Sequence, residues 1–376
     1  MSRTIVDIHI LHTVPPSNLN RDDTGSPKTA IYGGTRRARV SSQAWKRATR
    51  TAFNETLDPS ELGVRTKKVV ELIAKLIAEQ ASEFTEQSEA LAEKVLTTAG
   101  IKVEKPKKGK NEEAEQIAEV GYLIFLSARQ LDNLAALAVE SERSGTVPDK
   151  KAVKEAADRD HSIDVALFGR MVADAPDINV DAAAQVAHAI SVHAVDNEYD
   201  YFTAVDDKAP EDNAGAGMIG TVEFNSSTLY RYATVDTNAL DTTLGSPGAS
   251  AAATGAFLRA FITSMPTGKQ NTFANRTLPE AVLVTIRDRQ PVNLAGAFED
   301  AVVANENETR LHRASARLAD YAREVDAAYS QKPVASFVLR TGTQTEPLSE
   351  LGGSVTLDEL VKVVETTVTE RLEATP

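Results

Sequence analysis

The chain has no cysteine, a single tryptophan and only 5% aromatic residues among its 376 residues. Without cysteine it can form no disulfide, no thiol nucleophile and no thiolate metal site. It also lacks an apolar run of about 18 residues, which a membrane-spanning helix would need. The N-terminus, MSRTIVDIHI, does not show the basic-then-apolar order of a signal peptide. We therefore expect a cytoplasmic protein with no membrane partner, no redox chemistry and no cofactor.

Positive charge is scarce overall but is concentrated in one segment. The formal net charge is −13 at pH 7, whereas the segment from Arg21 to Arg50 has a local balance of +6. We call the basic residues of this segment the basic strip: Arg21, Lys28, Arg36, Arg37, Arg39, Lys46, Arg47 and Arg50. An acidic chain binds a polyanion along such a strip and repels it elsewhere. The charge pattern therefore predicts an oriented contact with nucleic acid.

The order of apolar patterns predicts an α+β fold. Residues 4–12, TIVDIHILH, have the pattern of a buried strand. Further strands are predicted at 229–235, 281–287 and 335–340, and helices at about 249–264, 294–304, 308–329 and 356–372. This order fits an RRM-like (ferredoxin-like) sheet with large insertions.

The insertions divide the predicted fold into three parts. Residues 1–57 and 226–376 form the sheet, and the mostly helical residues 58–180 form an inserted lobe that contains the polar stretch KPKKGKNEE at 105–113. Residues 181–225 are expected to contain a helix, at about 181–194, followed by a protruding hairpin with an acidic, glycine-rich tip.

The basic strip lies across a predicted loop and the helix that follows it. Residues 14–40 are rich in proline and glycine, so we expect a long loop without regular structure. Ser41 or Ser42 then serves as the N-cap of a helix that ends at about Asn54, with Trp45 on its buried side.

The beginning of this helix combines features that favour a phosphate ligand. N–H groups at a helix N-terminus attract anions. Gln43, Lys46 and Arg50 recur on one face at spacings of three and four, so the two cations can reach adjacent phosphates. The alternative is a solvated helix face. The glycine-rich approach, the cap and the aligned cations together favour binding to a nucleic-acid backbone.

Two glycine motifs and a histidine pair fit local structure better than chemistry. Residues 215–220, GAGMIG, match a dinucleotide-binding pattern but precede a predicted strand instead of a helix. The triplet Gly268-Lys269-Gln270 lacks the remainder of a P-loop. His188 and His193 are five residues apart and would diverge on a helix, so we expect structural histidines and no metal site.

Adjacent carboxylates leave an enzymatic alternative open. Asp22 and Asp23 lie in the predicted loop and could bind Mg²⁺ in a ribonuclease, although adjacent aspartates more commonly serve turns and charge balance. A metal-dependent ribonuclease is therefore the alternative to a binding protein. A scaffold that binds only proteins is a third possibility.

The predicted hairpin carries a cluster of apolar side chains whose role the pattern leaves open. Tyr201, Phe202, Thr203 and Val205 could insert between bases as a wedge, or could pack the base of the hairpin.

Several long segments of the chain resemble one family, the repeated backbone subunit (CasC type) of the type I-E CRISPR surveillance complex, Cascade. The similar segments are NLNRDDTGSPKTAIYGGTRRARVSSQAWKRATR at 18–50, DVALFGRM at 164–171, AHAISVHAVDNEYDYFTAVDD at 187–207 and GTVEFNSSTLYRYATV at 220–235. PTGKQNTFA at 266–274 resembles the family more loosely.

The resemblance implies an RRM-like palm, a helical fingers lobe and a β-hairpin thumb. It implies that Arg21, Lys28, Ser41, Gln43, Lys46 and Arg50 hold the RNA backbone, and that Met171, Phe202, Thr203 and Val205 form a wedge at a displaced base. Arg37, Arg39, Ser42 and Lys269 complete the predicted RNA-binding set.

The implied function is that of a non-catalytic subunit that oligomerises along the CRISPR RNA spacer. About six copies would leave the guide bases free to pair with target DNA, since the RNA and not the protein reads the sequence. The implied partners are the CRISPR RNA, target DNA, copies of the chain itself and other Cascade subunits. A helicase-nuclease recruited to the complex would do the cutting. The chain departs from ordinary RRMs because it lacks their aromatic base-stacking motif.

Overall fold

The computed structural model describes residues 3–105, 117–204 and 218–374. The strands are β1 (Ile5–Ser17), β2 (Thr29–Tyr32), β3 (Thr35–Val40), β4 (Gly63–Thr66), β5 (Val103–Glu104), β6 (Glu119–Val120), β7 (Ile124–Ser127), β8 (Ala184–Val186), β9 (Ala189–Ser191), β10 (Glu198–Ala204), β11 (Met218–Asp236), β12 (Ala281–Arg287), β13 (Ala335–Arg340) and β14 (Gly353–Ser354). The helices are α1 (Ser42–Thr56), α2 (Val69–Gln80), α3 (Ser88–Thr98), α4 (Ala128–Arg143), α5 (Lys150–Asp158), α6 (Ile163–Phe168), α7 (Thr237–Leu244), α8 (Pro247–Thr263), α9 (Gln270–Phe273), α10 (Arg310–Ala328) and α11 (Leu357–Glu373).

The chain forms two compact units. The first contains Met1–Ala52, Gln185–Asn238 and Thr254–Pro376, and the second contains Phe53–Ala184 and Ala239–Ala253.

A large mixed sheet forms the framework of the first unit. Its strands follow the order β14-β13-β12-β1-β11-β9-β3-β2, with β8 and β10 also paired to β11. The strands β1, β11 and β12 pair antiparallel, and the pairing of β13 with β14 is parallel. Residues 5–12 of β1 are all buried, which is expected of a strand at the centre of a sheet covered on both faces.

Helix α10 and its neighbours cover one face of this sheet. The apolar cluster between them includes Leu11, Tyr230, Leu283, Phe298 and Leu318. The charged residues of α10 remain at the surface because its apolar positions recur at helical spacing.

The second unit has a separate core built mainly from helices. Buried residues of α2, α3, α4 and α5 pack together, and the short ladder β4–β7 joins them. Helix α4 begins with a capping box: Ser127 Oγ accepts from Gln130 N at 3.0 Å, and Ser127 N donates to Gln130 Oε1 at 3.0 Å. The mostly helical prediction for this part of the chain agrees with these elements. The polar stretch at 105–113 lies largely outside the described residues.

Three sequence predictions about local structure were wrong. Residues 294–304 are not an α-helix, because this part of the chain contains only a short 3-10 turn, Ala295–Phe298, before α10 begins. Residues 14–40 are not a loop, because β1 continues to Ser17 past a register irregularity that accommodates two prolines, and β2 and β3 form a hairpin. Residues 181–194 are not a helix, because β8 and β9 lie there. In β9, Ser191 and Ile190 pair with Leu229 and Tyr230 of β11, and the sheet overrides the helical preference of the alanines.

No helix in the described part of the chain is long and apolar enough to cross a membrane.

Candidate nucleic-acid interface

Helix α1 is fixed at its N-terminus by the residues that precede it. Ser41 Oγ accepts a hydrogen bond from Ala44 N at 3.3 Å, which is N-cap geometry. Ser41 N donates to Asn20 Oδ1 at 2.9 Å, so the cap is also joined to the segment that follows β1. The capping residue is therefore Ser41, and its side chain is buried.

The inward side of α1 is held by aromatic packing. Trp45 is fully buried and lies edge-on to Phe261 of α8, with ring centroids 6.4 Å apart. Because Trp45 faces inward, Gln43 and Arg47 are exposed, while Lys46 and Arg50 are half-buried. The helix thus presents cations on a fixed scaffold.

His188 connects the cap to the basic strip. Its Nδ1 accepts from Ser42 N at 3.2 Å and lies 3.5 Å from Arg39 Nη1. Limited burial lowers the pKa of His188, and the charges of Arg39 and Lys28 lower it further. A neutral imidazole is the form that can accept these hydrogen bonds, so His188 orients its donors without opposing them.

Backbone contacts place Lys28 and Arg39 next to each other. Lys28 N donates to Asn20 O at 2.8 Å, and Arg39 N donates to Lys28 O at 2.9 Å. Arg39 Nε donates to Thr29 O at 3.2 Å. The hairpin thus brings Lys28 and Arg39 to His188 and the first residues of α1, although they are separated along the sequence.

The prediction that Arg37 binds RNA is corrected by its position. Arg37 is completely buried, and its guanidinium donates to the carbonyl oxygens of Tyr32, Ser191, Phe298 and Glu299 at 3.0–3.2 Å. A side chain whose donors are committed inside the sheet cannot reach a phosphate. Arg37 joins the β2–β3 hairpin to β9 and to the segment before α10.

The two aspartates of the alternative hypothesis lie in a tight exposed turn. Asp22 Oδ1 accepts from Thr24 N at 2.9 Å, from Thr24 Oγ1 at 2.7 Å and from Ser26 N at 3.0 Å. These hydrogen bonds, with that from the Thr24 hydroxyl the strongest, lower the pKa of Asp22. The arrangement is an Asx turn, which explains the aspartate without catalysis. It places Arg21 beside Pro27, with Arg21 exposed.

Lys269 is brought to the beginning of the basic strip by a close backbone approach. A Cβ atom at the preceding Gly268 would lie 2.2 Å from Leu19 O and 2.6 Å from Asn18 O, so only glycine fits. Lys269 has φ +49° at the beginning of α9. The loosely matching PTGKQNTFA segment therefore packs against residues 18–19, which immediately precede the basic strip.

The strands β10 and β11 form the predicted hairpin. Phe202 pairs with Gly220 and Thr203 with Ile219. The Phe202 ring lies over Gly220, where a Cβ would be 2.5 Å from Cζ, yet 36% of the residue remains exposed. The ring therefore packs on the hairpin and still faces solvent, and a contact between Phe202 and a base stays a prediction. Val205 lies outside the described residues.

Exposed aromatic residues also occur on the other side of β10. Tyr199 and Tyr201 alternate with Phe202 along the strand and are largely exposed. Met171, the remaining predicted wedge residue, belongs to the second unit and is 82% exposed.

Sequence reasoning missed the place of His188 in this interface. The signal was present in the segment AHAISVH, where His188 and His193 flank an alternating apolar pattern that is typical of a strand. His193 is buried: its Nε2 accepts from Thr228 N at 3.2 Å, and its Nδ1 lies 2.8 Å from Ala194 O. The structural prediction suits His193, whereas His188 lies among the cations.

The α+β fold is similar to that of chains from CRISPR RNA-guided surveillance complexes. One similar chain comes from a CRISPR RNA-guided surveillance complex in a pre-nicking state, with 34% sequence identity, a TM-score of 0.83, and coverage of 97% of this chain and 100% of that chain. A second, from a CRISPR RNA-guided surveillance complex, has 30% identity, a TM-score of 0.73, and coverage of 96% and 99%. No curated protein matches the chain.

The chain belongs to the CT1975-like protein family, whose sequence model matches residues 6–363. This membership and the two structural matches support the predicted resemblance to a Cascade backbone subunit and give the chain a CRISPR-associated role.

Proposed function

We propose that the chain is a non-catalytic subunit that binds CRISPR RNA and oligomerises along the guide spacer as the backbone of a Cascade complex. The observation that carries the proposal is the convergence of Lys28, Arg39 and the first turn of α1 around His188. These groups donate hydrogen bonds or carry positive charge, which suits phosphates and ignores base identity.

This division of labour fits guided recognition. If the protein grips the sugar-phosphate backbone, the bases stay free to pair with target DNA, and the RNA alone supplies sequence specificity. On this proposal the sheet of the first unit is the RRM-like palm, residues 58–180 are the fingers, and the β10–β11 hairpin is the thumb. Phe202 and Thr203, with Met171 and Val205, contact a displaced base. Other Cascade subunits and a recruited helicase-nuclease complete the complex in the cytoplasm.

The proposal that the basic strip binds RNA is tested by replacing Lys46 and Arg50, which both lie on α1, in one variant. We expect Lys46→Ala with Arg50→Ala to weaken RNA binding and to reduce the slope of log K against log salt by about 2, because each phosphate contact contributes about 0.9. Fluorescence anisotropy with a labelled spacer RNA at several salt concentrations measures both quantities.

The matched control removes two exposed lysines elsewhere, Lys332→Ala with Lys362→Ala. It changes the net charge equally, so we expect the wild-type slope. If the Lys46/Arg50 variant and the control gave the same slope, the strip would not be the RNA site.

The non-catalytic assignment is tested directly with labelled RNA and Mg²⁺ or Mn²⁺. Since the Asp22 carboxylate already holds a turn, we expect no turnover by the purified chain. RNA cleavage that Asp23→Asn abolishes would establish the ribonuclease instead.

A further inference from the structure

The arginines buried in this chain differ in their charge partners. Among the residues that the structure describes, four are buried: Arg37, Arg170, Arg231 and Arg287. Arg287 pairs with Asp7 at 3.2 Å and Asp326 at 2.9 Å, and Arg170 pairs with Asp158 at 3.2 Å. A buried charge usually requires such a partner, because desolvation costs several kcal/mol.

Arg231 has no carboxylate partner within ion-pair distance among the described residues. Its Nη1 donates to His12 Nδ1 at 3.0 Å, its Nη2 donates to Phe261 O, and its Nε lacks a hydrogen-bond partner there. Burial lowers the pKa of Arg231 to about 9, so it is still charged at pH 7. His12 supplies no compensating charge, because an imidazole is either neutral or positive, and burial keeps it neutral by lowering its pKa to about 3.

This cation lies directly beneath α1, the helix that carries Lys46, Arg47 and Arg50 of the basic strip. Arg231 Cζ is 3.7 Å from the centroid of the Trp45 ring and 4.7 Å from that of Phe261. Trp45 is the buried residue next to Lys46 on α1. The guanidinium is therefore separated from the outer surface of α1 by about the width of one helix, roughly 10 Å. Arg37, the other buried arginine of the strip region, differs because the charges of Glu299 and Asp300 act on it.

We propose that Arg231 is an electrostatic positioning residue for the RNA site: its uncompensated charge beneath α1 attracts the phosphate backbone through the helix, and the bound RNA supplies the missing counter-charge. This inference rests on the proposed function. It assigns part of the RNA affinity to Arg231, which would not itself contact the RNA. A buried charge is screened by salt much less than a surface charge. Its contribution therefore persists at high salt, whereas that of Lys46 fades.

The test compares Arg231→Gln with Arg231→Lys. The glutamine variant removes the charge, and we expect about four- to fifteenfold weaker RNA binding, the Coulomb effect of two unit charges about 10 Å apart at an effective dielectric of about 20 to 40. The lysine variant keeps the charge, and we expect affinity within about twofold of wild type. RNA anisotropy from about 50 to 300 mM salt should give a constant ratio of wild-type to Gln affinity, and a shrinking ratio for Lys46→Ala.

A second variant covers the case in which Arg231→Gln does not fold. His12→Glu would place a carboxylate beside Arg231 and complete the ion pair, so we expect the chain to fold and to lose RNA affinity as the Gln variant does. Phe257→Leu is the packing control, because Phe257 stacks on Phe261 with centroids 5.7 Å apart and carries no charge. We expect it to lower the melting temperature and leave RNA affinity unchanged.

The outcomes separate this inference from the function on which it rests. If the wild type bound no RNA, the proposed function would fail. If the wild type bound RNA and the His12→Glu variant bound it equally well, only the role of Arg231 would fail. An equal loss in the Gln, Lys and Phe257→Leu variants would assign the effect to packing and would also overturn the inference.

Discussion

At the scale of single residues, the positive charge of an arginine does not by itself show whether the side chain binds a ligand or stabilises the fold. Arg36, Arg37 and Arg39 lie within one strand, yet Arg36 is exposed, Arg37 donates to four carbonyl oxygens, and Arg39 contacts His188. Alternation along a strand predicts that Arg37 faces opposite to its neighbours. Which face is buried depends on β9 and on the segment before α10, which are distant in the sequence.

His193 provides a prediction about pH. Burial, and after it the charge of Arg310, lowers the pKa of His193 to about 4. In the unfolded chain His193 therefore becomes protonated near pH 6.5, whereas in the folded chain it stays neutral down to about pH 4. The stability from this residue is fully present above pH 6.5 and is lost progressively as the pH falls from about 6.5 to about 4, by about 1.4 kcal/mol per pH unit.

We expect His193→Gln to remove this dependence. Between pH 6.5 and 5 the wild type should lose about 2 kcal/mol more unfolding free energy than the variant. Urea unfolding at the two pH values measures the difference. Equal losses in both proteins would show that His193 is already protonated in the folded chain.

At the scale of elements, glycine placement explains where the loop prediction failed. The pair Gly33-Gly34 joins β2 to β3 with φ +55° and +72°, the conformation of a two-residue hairpin turn. The signal was therefore present in IYGGT, where two glycines separate strand-like segments. The prolines and glycines of residues 14–27 obscured it, because they also favour loops.

Gly33 provides a second prediction. A Cβ there would lie 1.6 Å from Glu299 O, whereas one at Gly34 would meet nothing within 4 Å. Both positions have positive φ, so Gly34→Ala reports the cost of strain alone. We expect Gly33→Ala to destabilise the chain by at least about 2 kcal/mol more than Gly34→Ala, in line with steric strain in a packed core.

Denaturant unfolding of the two variants measures this difference, and RNA anisotropy should show that Gly33→Ala also weakens binding, because the hairpin positions Lys28 and Arg39. Equal stability of the two variants would mean that the approach of the turn to Glu299 contributes nothing.

The second element-scale error concerns the alanine-rich stretch at 181–194. Its composition favours a helix, but Ser191 Oγ accepts from Ala38 N at 3.0 Å and donates to His193 O at 2.7 Å. These contacts, with the pairing to β11, satisfy the backbone better in a strand. Such partners come from other parts of the chain, so a local pattern does not contain them.

At the scale of the whole molecule, the proposal predicts assembly on RNA. Each copy would bind a fixed length of backbone, so the number of copies per RNA should rise in steps with spacer length. We expect Phe202→Ala to lower the number of copies at limiting protein while leaving binding of the first copy nearly unchanged, because the hairpin would act on RNA held by a neighbour.

Native mass spectrometry on RNAs of increasing length gives the number of copies. The control is Tyr329→Ala, an aromatic residue that follows α10 and is more exposed than Phe202, 70% against 36%. If Tyr329→Ala and Phe202→Ala had the same effect on the number of copies, the hairpin would have no particular part in assembly.

The sequence by itself determined the α+β class, the central strand, the capped basic helix and the concentration of positive charge in residues 21–50. These features depend on periodicity, capping chemistry and composition, all of which can be read from residues close together in the sequence. The tertiary structure alone decided that Arg37 is internal, that His188 contacts Arg39 and Ser42, and that Arg231 lies against Trp45. Burial and ion pairing are set by residues far apart in the chain, so a linear pattern of charges cannot tell a surface cation from an internal one.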